Sequence, residues 1–387
     1  MSRKKISILG STGSIGKNAI RVIRENKDRF EITALSAGKN WEELAKQAIE
    51  FSPSFISISD PKDISRLKSI IPSNIEILCG DDGISEIAKN TDVDVLLSAL
   101  VGSVGLIPTI EAIKSGTTVA IANKEVLVMA GNLVMGLSKS LNVPLLPVDS
   151  EHAGIAQILA GDKIKEVEKI ILTASGGPFR EFDEISLQNV TLKQALSHPN
   201  WDMGPKISVD SATLMNKGFE LIEARWLFDV EPSFLDVIIH PQSIVHGLVE
   251  FIDGSVVAQM SVPDMRFSIA QAISSSERIK NNIKPLNLVD LGQLTFEKPR
   301  EDLFPCLKYA KEAMKVGGTA PTVLNASNQV AVDAFISGKI NFLDIANLIF
   351  YVLDKHKISE VNEIDDVLDA DRWASELATE FIKKKFF

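Results

Sequence analysis

The stretch Ile6-Ser7-Ile8-Leu9-Gly10-Ser11-Thr12-Gly13-Ser14-Ile15-Gly16 decides the fold of this chain. A short β-prone run leads into three glycines with the spacing G-x-x-G-x-x-G, and a helical pattern follows over 14–25. Glycine lets the backbone turn tightly and approach a pyrophosphate, while the helix N-terminus supplies N–H donors. The stretch therefore favours a dinucleotide-binding turn. A plain strand–helix turn stays open, because the spacing differs from the commoner G-x-G-x-x-G.

Downstream of this turn, short β-rich runs alternate with helical patterns. The predicted strands cover 6–9, 32–36, 55–59, 93–100, 118–121 and 144–147. Several are apolar at successive positions, as expected for strands covered on both faces. This alternation predicts the α/β class, with a doubly wound parallel sheet forming an N-terminal nucleotide domain over 1–150.

The rest of the chain has a different pattern. Asp253-Gly254 separates two β-prone runs, 245–251 and 255–260, and predicts an antiparallel hairpin. We therefore expect a central α+β catalytic domain over 151–275. Prolines among charged residues predict a linker over 276–305. Helical patterns at 307–316, 322–336, 342–354 and 372–384 predict a C-terminal helical bundle over 306–387.

Composition narrows the class of protein. The 387 residues carry a formal net charge of −10 at pH 7, which argues against nonspecific nucleic-acid binding. No apolar run reaches the roughly 18 residues of a membrane-spanning helix. Only two cysteines are present, so neither a disulfide framework nor a thiolate zinc site is expected. The strand-like sequence begins at once, without a signal-peptide pattern, and we expect a cytoplasmic protein.

The end of the second strand bears on the choice of nicotinamide cofactor. An NAD site usually places a carboxylate there to bind the ribose 2′-hydroxyl. This chain has Gly38-Lys39-Asn40 instead, which offers a cation to a 2′-phosphate. The pattern favours NADPH, although Lys39 could equally be a solvated lysine at a helix start.

Acidic residues follow the strand at the end of the first predicted domain. If strand geometry continues through Val148-Asp149-Ser150-Glu151, then Asp149 and Glu151 point to the same face. Two aligned carboxylates without thiolates favour Mg²⁺ or Mn²⁺. The alternative is that Asp149 or Ser150 caps a helix beginning near Ala153.

A third carboxylate lies in a helical pattern further along the chain. Asn216 and Glu220 are one turn apart, with Lys217 adjacent, so an amide, an ammonium and a carboxylate could converge. The alternative is an ordinary solvated Lys–Glu pair. Spacing alone favours that alternative.

Three further segments are typical of ligand-binding loops. Ser175 precedes two glycines whose N–H groups could hold a phosphate, although an ordinary turn is equally compatible. The segment His198-Pro199-Asn200-Trp201-Asp202-Met203-Gly204-Pro205 has the composition of a loop that closes over a ligand. Asn123-Lys124-Glu125 opens a helix at the carboxyl-end side of the sheet, where ligands bind in such folds.

Taken together, these motifs resemble one family, 1-deoxy-D-xylulose 5-phosphate reductoisomerase, over nearly the whole chain. The blocks that carry the resemblance are the glycine turn at 10–16 and the segments 122–125, 148–152, 174–179, 198–204, 209–220, 240–243, 317–321 and 324–326. Phe219 and Gln329 depart from the family pattern, and neither has a predicted chemical role.

The resemblance implies a role for each site residue. Asp149, Glu151 and Glu220 would hold the metal and, with Lys124, form the catalytic set. Lys124 and Ser150 would contact the hydroxyl end of the substrate. The remaining substrate-binding residues would be Ser175, His198, Trp201, Ser211, Asn216 and Lys217, in addition to Glu151 and Glu220. NADPH would contact Thr12, Gly13, Ser14, Ile15, Gly38, Lys39, Asn40, Asn123, Glu125 and Gly204.

The resemblance also implies a reaction. The carbon skeleton of 1-deoxy-D-xylulose 5-phosphate would be rearranged by retro-aldol cleavage and re-addition. Hydride from NADPH would then reduce the aldehyde to 2-C-methyl-D-erythritol 4-phosphate, a step of the non-mevalonate isoprenoid pathway. A divalent metal would act as a Lewis acid on the substrate oxygens. A homodimer is implied, with the loop around Trp201 closing over the substrate.

Two other functions compete with this interpretation. An aspartate-semialdehyde-type dehydrogenase shares the glycine spacing but needs a nucleophilic cysteine, and neither Cys79 nor Cys306 lies in a sequence that would activate a thiol. An NADPH-sensing regulator would bind the cofactor without turnover. Degenerate catalytic positions would support such a regulator, and the sequence shows none.

Overall fold

A computed structural model of the chain describes residues 2–160 and 163–386. The chain forms two compact units, which are described separately. The first comprises the chain up to Val126, together with Val134–Ala153 and Asp264–Lys284. The second comprises Leu127–Leu133, Gly154–Pro263 and the chain from Pro285 onward. The predicted division into four domains stays a prediction.

Seven parallel strands form the sheet of the first unit. They are β1 (Lys4–Leu9), β2 (Phe30–Ala37), β3 (Phe55–Ile58), β4 (Glu76–Cys79), β5 (Val95–Ser98), β6 (Thr118–Ile121) and β7 (Leu145–Pro147). Their spatial order is β4-β3-β2-β1-β5-β6-β7. The order reverses at β1, as in doubly wound folds, so the predicted fold class is confirmed.

The helices that connect these strands are amphipathic or buried. They are α1 (Ser14–Glu25), α2 (Trp41–Phe51), α3 (Ile64–Ile70), α4 (Gly80–Lys89), α5 (Leu106–Lys114), α6 (Lys124–Leu141) and the start of α7 (Ser150–Ile158). Ile6, Ile8 and Leu97 on the central strands are fully buried. These continuous apolar strands form the core because helices cover both faces of the sheet.

Strand β4 is absent from the sequence-based prediction. It lies at one edge of the sheet, and its residues Glu76–Cys79 are exposed or only partly buried. At four residues it is as short as β3, β5 and β6, but its side chains are less buried than theirs. The apolar run Ile77-Leu78-Cys79 was available in the sequence and was not recognised as a strand.

The second unit contains a four-stranded mixed sheet in the order β11-β10-β8-β9. Its strands are β8 (Val167–Ala174), β9 (Leu235–Ile239), β10 (Val245–Phe251) and β11 (Val256–Met260). Strands β10 and β11 pair antiparallel, so the hairpin predicted at Asp253-Gly254 is confirmed. Gly254 has φ +81°, which suits the tight turn between them.

Helices make up the remainder of the second unit. They are α8 (Glu184–Leu187), α9 (Leu192–Ala195), α10 (Pro205–Ala212), α11 (Met215–Leu227), α13 (Leu288–Leu291), α14 (Cys306–Val316), α15 (Ala320–Ile336), α16 (Phe342–Lys355) and α17 (Ile364–Phe386). Helix α12 (Arg266–Ile273) belongs to the first unit. None of the helices in the described ranges is long and apolar enough to cross a membrane.

The C-terminal helices pack as the sequence predicts, but the last one starts earlier. Helix α17 begins at Ile364, whereas periodicity predicts a start at Arg372. The Asp366 carboxylate accepts hydrogen bonds from the backbone N–H groups of Asn362 and Glu363, at 2.9 and 3.0 Å. This contact fixes the first turn, which carries too few apolar residues to be recognised by periodicity.

Candidate active site

The glycine turn after β1 is shaped by close backbone contacts. Gly10 has φ +84°, and a Cβ there would lie 2.4 Å from the carbonyl oxygen of Ala99. A Cβ on Gly16 would lie 2.3 Å from the carbonyl oxygen of Gly10. Among the described residues no side chain caps α1, and Gly13 and Ser14 at its start are exposed. The turn thus leaves the N-terminus of α1 accessible to an anion.

The loop after β2 lies beside this turn, because β1 and β2 are parallel neighbours. Gly38, Lys39 and Asn40 are all exposed, and a Cβ on Gly38 would meet no atom within 4 Å. The Asn40 side chain accepts a hydrogen bond from the Glu43 N–H at 3.1 Å and so caps α2. Asn40 therefore has a structural role that the resemblance did not indicate.

Asn123 is fully buried at the carboxyl end of β6. Its amide donates to the Gly102 carbonyl at 3.1 Å and to the Glu125 carboxylate at 2.7 Å. A Cβ on Gly105 would lie 1.8 Å from the Asn123 side-chain oxygen. Asn123 thus supports the loop 101–105, and Glu125 holds the Asn123 amide in place.

The loop 101–105 was missed by sequence reasoning. It follows the carboxyl end of β5, next to the glycine turn after β1, and its residue Val101 is 66% exposed. The signal that could have found it is Gly102-x-x-Gly105 directly after a buried strand. This position predicts a contact with a bound dinucleotide.

Lys124 and Asp149 form a buried ion pair in the first unit. The Lys124 Nζ lies 2.5 Å from an Asp149 carboxylate oxygen, and the side chains are only 8% and 15% exposed. They meet because β6 and β7 are adjacent parallel strands whose carboxyl ends share one edge. A buried pair of this kind holds both groups in defined positions.

Glu151 lies in a helix and not in the extended segment that the sequence predicts. Strand β7 ends at Pro147 and α7 begins at Ser150, so the assumption that strand geometry continues to Glu151 is wrong. Instead, the Ala153 N–H donates to the Asp149 carbonyl at 2.9 Å in the first helical turn. The Ser150 hydroxyl donates to the Glu151 carboxylate at 2.7 Å.

Glu220 is the centre of a buried polar cluster in the second unit. The Asn216 amide donates to one carboxylate oxygen at 2.6 Å, and the Lys217 ammonium contacts the other. The Lys217 and Glu220 side chains are 5% and 2% exposed. The alternative of a solvated Lys217–Glu220 pair is therefore wrong. The face of α11 that carries this pair is shielded from solvent, as its apolar face is.

Ser175 and His198 form a second polar pair in this unit. The Ser175 hydroxyl lies 2.8 Å from His198 Nε2 and accepts from the Gly177 N–H at 3.2 Å. His198 Nδ1 accepts from the N–H groups of Asn200 and Trp201, at 3.2 and 3.1 Å. Because Nδ1 is an acceptor, the ring proton lies on Nε2, which donates to Ser175. The hydroxyl proton of Ser175 is then available to an anionic ligand.

The same histidine makes a testable contribution to acid sensitivity. Burial lowers the pKa of His198 from 6.5 to about 4. The unfolded chain therefore binds more protons than the folded chain between these values, and the free energy of unfolding falls as the pH falls through this window. As the pH is lowered through this window, the melting temperature of the wild type should fall more than that of His198→Gln, whose side chain does not titrate. Parallel melting curves over the window would contradict this assignment.

Two glycines bring the loop after β8 close to α10. Gly176 and Gly177 have φ +85° and +70°, and a Cβ on Gly177 would lie 2.8 Å from the Ser211 carbonyl oxygen. Ser175, His198 and Ser211 are thus grouped at one place in the second unit. That this loop binds a phosphate stays a prediction.

The loop that follows His198 is anchored on the motif 240–243. The Asn200 amide donates to the Pro241 carbonyl at 2.5 Å and to the Ser243 hydroxyl at 2.8 Å. The Trp201 ring lies 6.4 Å from the His246 ring. Gly204 is exposed directly before α10. Asn200 was not among the predicted site residues. Its position two residues after His198 in the same loop was the signal that could have indicated its anchoring role.

The two cysteines are unsuited to thioester chemistry. Cys306 is 1% exposed, and burial, with a smaller contribution from the Asp210 carboxylate, raises its pKa to about 12. The Cys79 thiol contacts the Ser59 carbonyl at 3.8 Å, in the edge-strand region. Neither cysteine therefore supplies a nucleophilic thiolate, which argues against the function of a semialdehyde-type dehydrogenase.

The predicted site residues fall into two groups. Those of the first unit follow the carboxyl ends of four parallel strands, β2, β1, β6 and β7, with β5 between β1 and β6 in the sheet. They are Thr12, Gly13, Ser14, Ile15, Gly38, Lys39, Asn40, Asn123, Lys124, Glu125, Asp149, Ser150 and Glu151. Those of the second unit are Ser175, His198, Trp201, Gly204, Ser211, Asn216, Lys217 and Glu220.

Three family models match the chain in succession. The model for 1-deoxy-D-xylulose 5-phosphate reductoisomerase matches residues 6–131, the model for its C-terminal domain matches 145–228, and a further DXP reductoisomerase C-terminal domain matches 260–377. The chain belongs to this family. The reductoisomerase of Pelodictyon phaeoclathratiforme is 50% identical over 380 residues, which cover 98% of this chain and 100% of that protein.

Solved structures of reductoisomerases have the same fold. One, in complex with NADPH, fosmidomycin and magnesium, is 40% identical with a TM-score of 0.94, over 99% of this chain and 100% of that one. Another, from Zymomonas mobilis in complex with NADPH, is 39% identical with a TM-score of 0.92, over the same shares. The predictions of the family and of an NADPH-dependent oxidoreductase are thereby confirmed.

Proposed function

We propose that this chain rearranges and reduces 1-deoxy-D-xylulose 5-phosphate to 2-C-methyl-D-erythritol 4-phosphate, with NADPH and a divalent metal. The observation that carries the proposal is a pair of acids held by lysines, the partly buried Asp149 with Lys124 and the buried Glu220 with Lys217, in a member of the reductoisomerase family. Charged groups are rarely buried this deeply unless they bind a ligand or each other.

The first unit fits a bound dinucleotide. Gly10 and Gly16 have no room for a side chain, and the start of α1 is open, so a pyrophosphate can approach the backbone. Lys39 is exposed beside Gly38, where a cation would attract a 2′-phosphate. The cofactor prediction is confirmed at the level of the family, since solved relatives bind NADPH and magnesium.

The acids fit a hard metal ion. Asp149, Glu151 and Glu220 offer only carboxylate oxygens, which suit Mg²⁺ or Mn²⁺ better than a thiolate-binding metal. When bound, the ion supplies a Lewis acid for the substrate oxygens, and NADPH supplies the hydride. The Lys124 and Lys217 ammonium groups balance the negative charges of Asp149 and Glu220.

The side chains around these acids would orient the substrate. Lys124 and Ser150 would contact its hydroxyl end, while Ser175, His198, Ser211, Asn216 and Lys217 would bind its phosphate and carbon chain. The neutral Nε2–H of His198 keeps the Ser175 hydroxyl aligned, so the serine can donate its proton to a phosphate oxygen. Phosphate contacts remote from the reacting carbons help to orient them.

The loop around Trp201 would exclude water from the reacting carbons. Its first turn is fixed by His198 and Asn200, and Pro205 sets its end at the start of α10. The indole of Trp201 at its middle would present a large apolar surface to the substrate. This surface would protect the aldehyde before its reduction.

We further propose a cytoplasmic homodimer. Strand β11 lies at the edge of the second sheet, and its residues Val256 and Val257 are 54% and 44% exposed. An apolar edge strand is a template for pairing with another chain, and a second copy would cover it. Both cysteines are free thiols, in keeping with a reducing compartment.

A turnover assay tests the proposed function. Purified protein, mixed with 1-deoxy-D-xylulose 5-phosphate, NADPH and Mg²⁺, should oxidise the NADPH. The reaction should stop when a chelator removes the metal, and it should be much slower with NADH because Lys39 then has no 2′-phosphate to bind. Binding of NADPH without oxidation would identify a sensor instead.

A further inference from the structure

Asp210 is a buried carboxylate without an assigned role. It lies in α10, is 2% exposed, and precedes Ser211, the expected phosphate-binding residue. The Lys206 Nζ lies 3.0 Å from one carboxylate oxygen, and the Asn328 amide donates to the other at 2.8 Å. A carboxylate loses much hydration when buried, and these two donors offset that cost.

The two donors come from different parts of the chain. Lys206 lies in the first turn of α10 itself, and Asn328 lies in the C-terminal helix α15. Lys206 lies one turn before Asp210, where the loop around Trp201 joins α10, and its ammonium also lies 5.1 Å from the Phe219 ring centre. Asn328 is fully buried in α15. The Asn328 amide nitrogen donates to Asp210, whereas the amide oxygen of the same side chain has no hydrogen-bond partner among the described residues.

Successive residues of a helix point about 100° apart, so Asp210 and Ser211 face different directions. Asp210 is directed to Asn328 in α15, while the Ser211 carbonyl lies against the glycine loop after β8. A rotation or shift of α10 that moved Ser211 would also break the Asp210 contacts, because both residues belong to the same helix. The contacts therefore set the orientation in which Ser211 meets that loop.

We propose that Asp210 is a positioning residue which, through Lys206 and Asn328, fixes the Ser211 hydroxyl for binding the substrate phosphate. The C-terminal helices thus contribute to phosphate affinity without touching the substrate. This inference rests on the proposed function, because the role of Ser211 belongs to it.

Asn328→Leu tests the inference. Loss of one hydrogen bond to a buried charge should raise the KM for 1-deoxy-D-xylulose 5-phosphate about 10-fold, while the KM for NADPH stays unchanged. Ser327→Ala is the matched control: Ser327 is equally buried in α15, but its hydroxyl donates to Val323 and Leu324 in its own helix. It should leave both KM values as they are.

Inorganic phosphate gives a second measurement that needs no turnover. It should raise the melting temperature of the wild type, and Asn328→Leu should need about 10-fold more phosphate for the same shift. Should Asn328→Leu fail to fold, Lys206→Met provides the same test from the other side of Asp210. A lower melting temperature with unchanged KM and unchanged phosphate response would reduce Asp210 to a structural residue. Absence of wild-type turnover would count against the proposed function alone, because the phosphate measurement still stands.

Discussion

Glu151→Gln should lower kcat by a factor on the order of 10³ and abolish the response of activity to added Mg²⁺. The substitution keeps the size and shape of the side chain, and its amide oxygen can still accept from the Ser150 hydroxyl. What is lost is one negative charge in the proposed metal site. Because Glu151 lies in the first turn of α7, its backbone position does not depend on that charge.

The measurement is kcat as a function of Mg²⁺, together with the melting temperature of each variant. Glu184→Gln is the control, since Glu184 is an exposed acid in the first turn of α8 and has no place in the proposed site. It should behave as the wild type does. Unchanged metal dependence in Glu151→Gln would remove Glu151 from the metal ligands.

Lys217→Met should have the largest effect on stability, a loss of about 3 to 5 kcal/mol in the free energy of unfolding. The Lys217 ammonium contacts a Glu220 carboxylate that is itself 2% exposed. Removing the ammonium leaves that carboxylate buried without the cation it contacts. Methionine fills a similar volume, so the effect reports the charge rather than a cavity.

Three comparisons isolate the cause of this loss. Lys308→Met removes one partner of an exposed pair on α14 and should change stability by less than about 1 kcal/mol. Adding Glu220→Gln to Lys217→Met should restore stability but not activity. Mg²⁺ should stabilise Lys217→Met more than the wild type if Glu220 binds the ion. A Lys217→Met protein as stable as the wild type would contradict the role of the buried pair.

Local sequence patterns predicted the inner strands and the glycine turn correctly because their physical causes are local. Continuous apolar runs form buried strands, and Gly10 and Gly16 stand where a Cβ would collide with the backbone. The edge strand β4 contains the apolar run Ile77-Leu78-Cys79 and was nevertheless missed. The strand interpretation of Glu151 was wrong because the chain enters a helix at Ser150, immediately after the short strand β7.

Periodicity also placed Asn216, Lys217 and Glu220 together, but it favoured a solvated pair. Spacing in a helix fixes which side chains are neighbours, whereas burial depends on what packs against that helix from elsewhere in the chain. The same holds for His198, whose proton position follows from the N–H groups of Asn200 and Trp201. No pattern of residue types contains that information.

The sequence by itself determined the class of fold and the family, because periodicity, glycine spacing and motif order are properties of neighbouring residues. Only the tertiary structure decided that the Lys217–Glu220 pair is buried, that Asn123 supports the loop 101–105, and that Asp210 is tied to Asn328 more than 100 residues away. Burial and long-range hydrogen bonds arise when distant segments pack, and that packing orients these side chains.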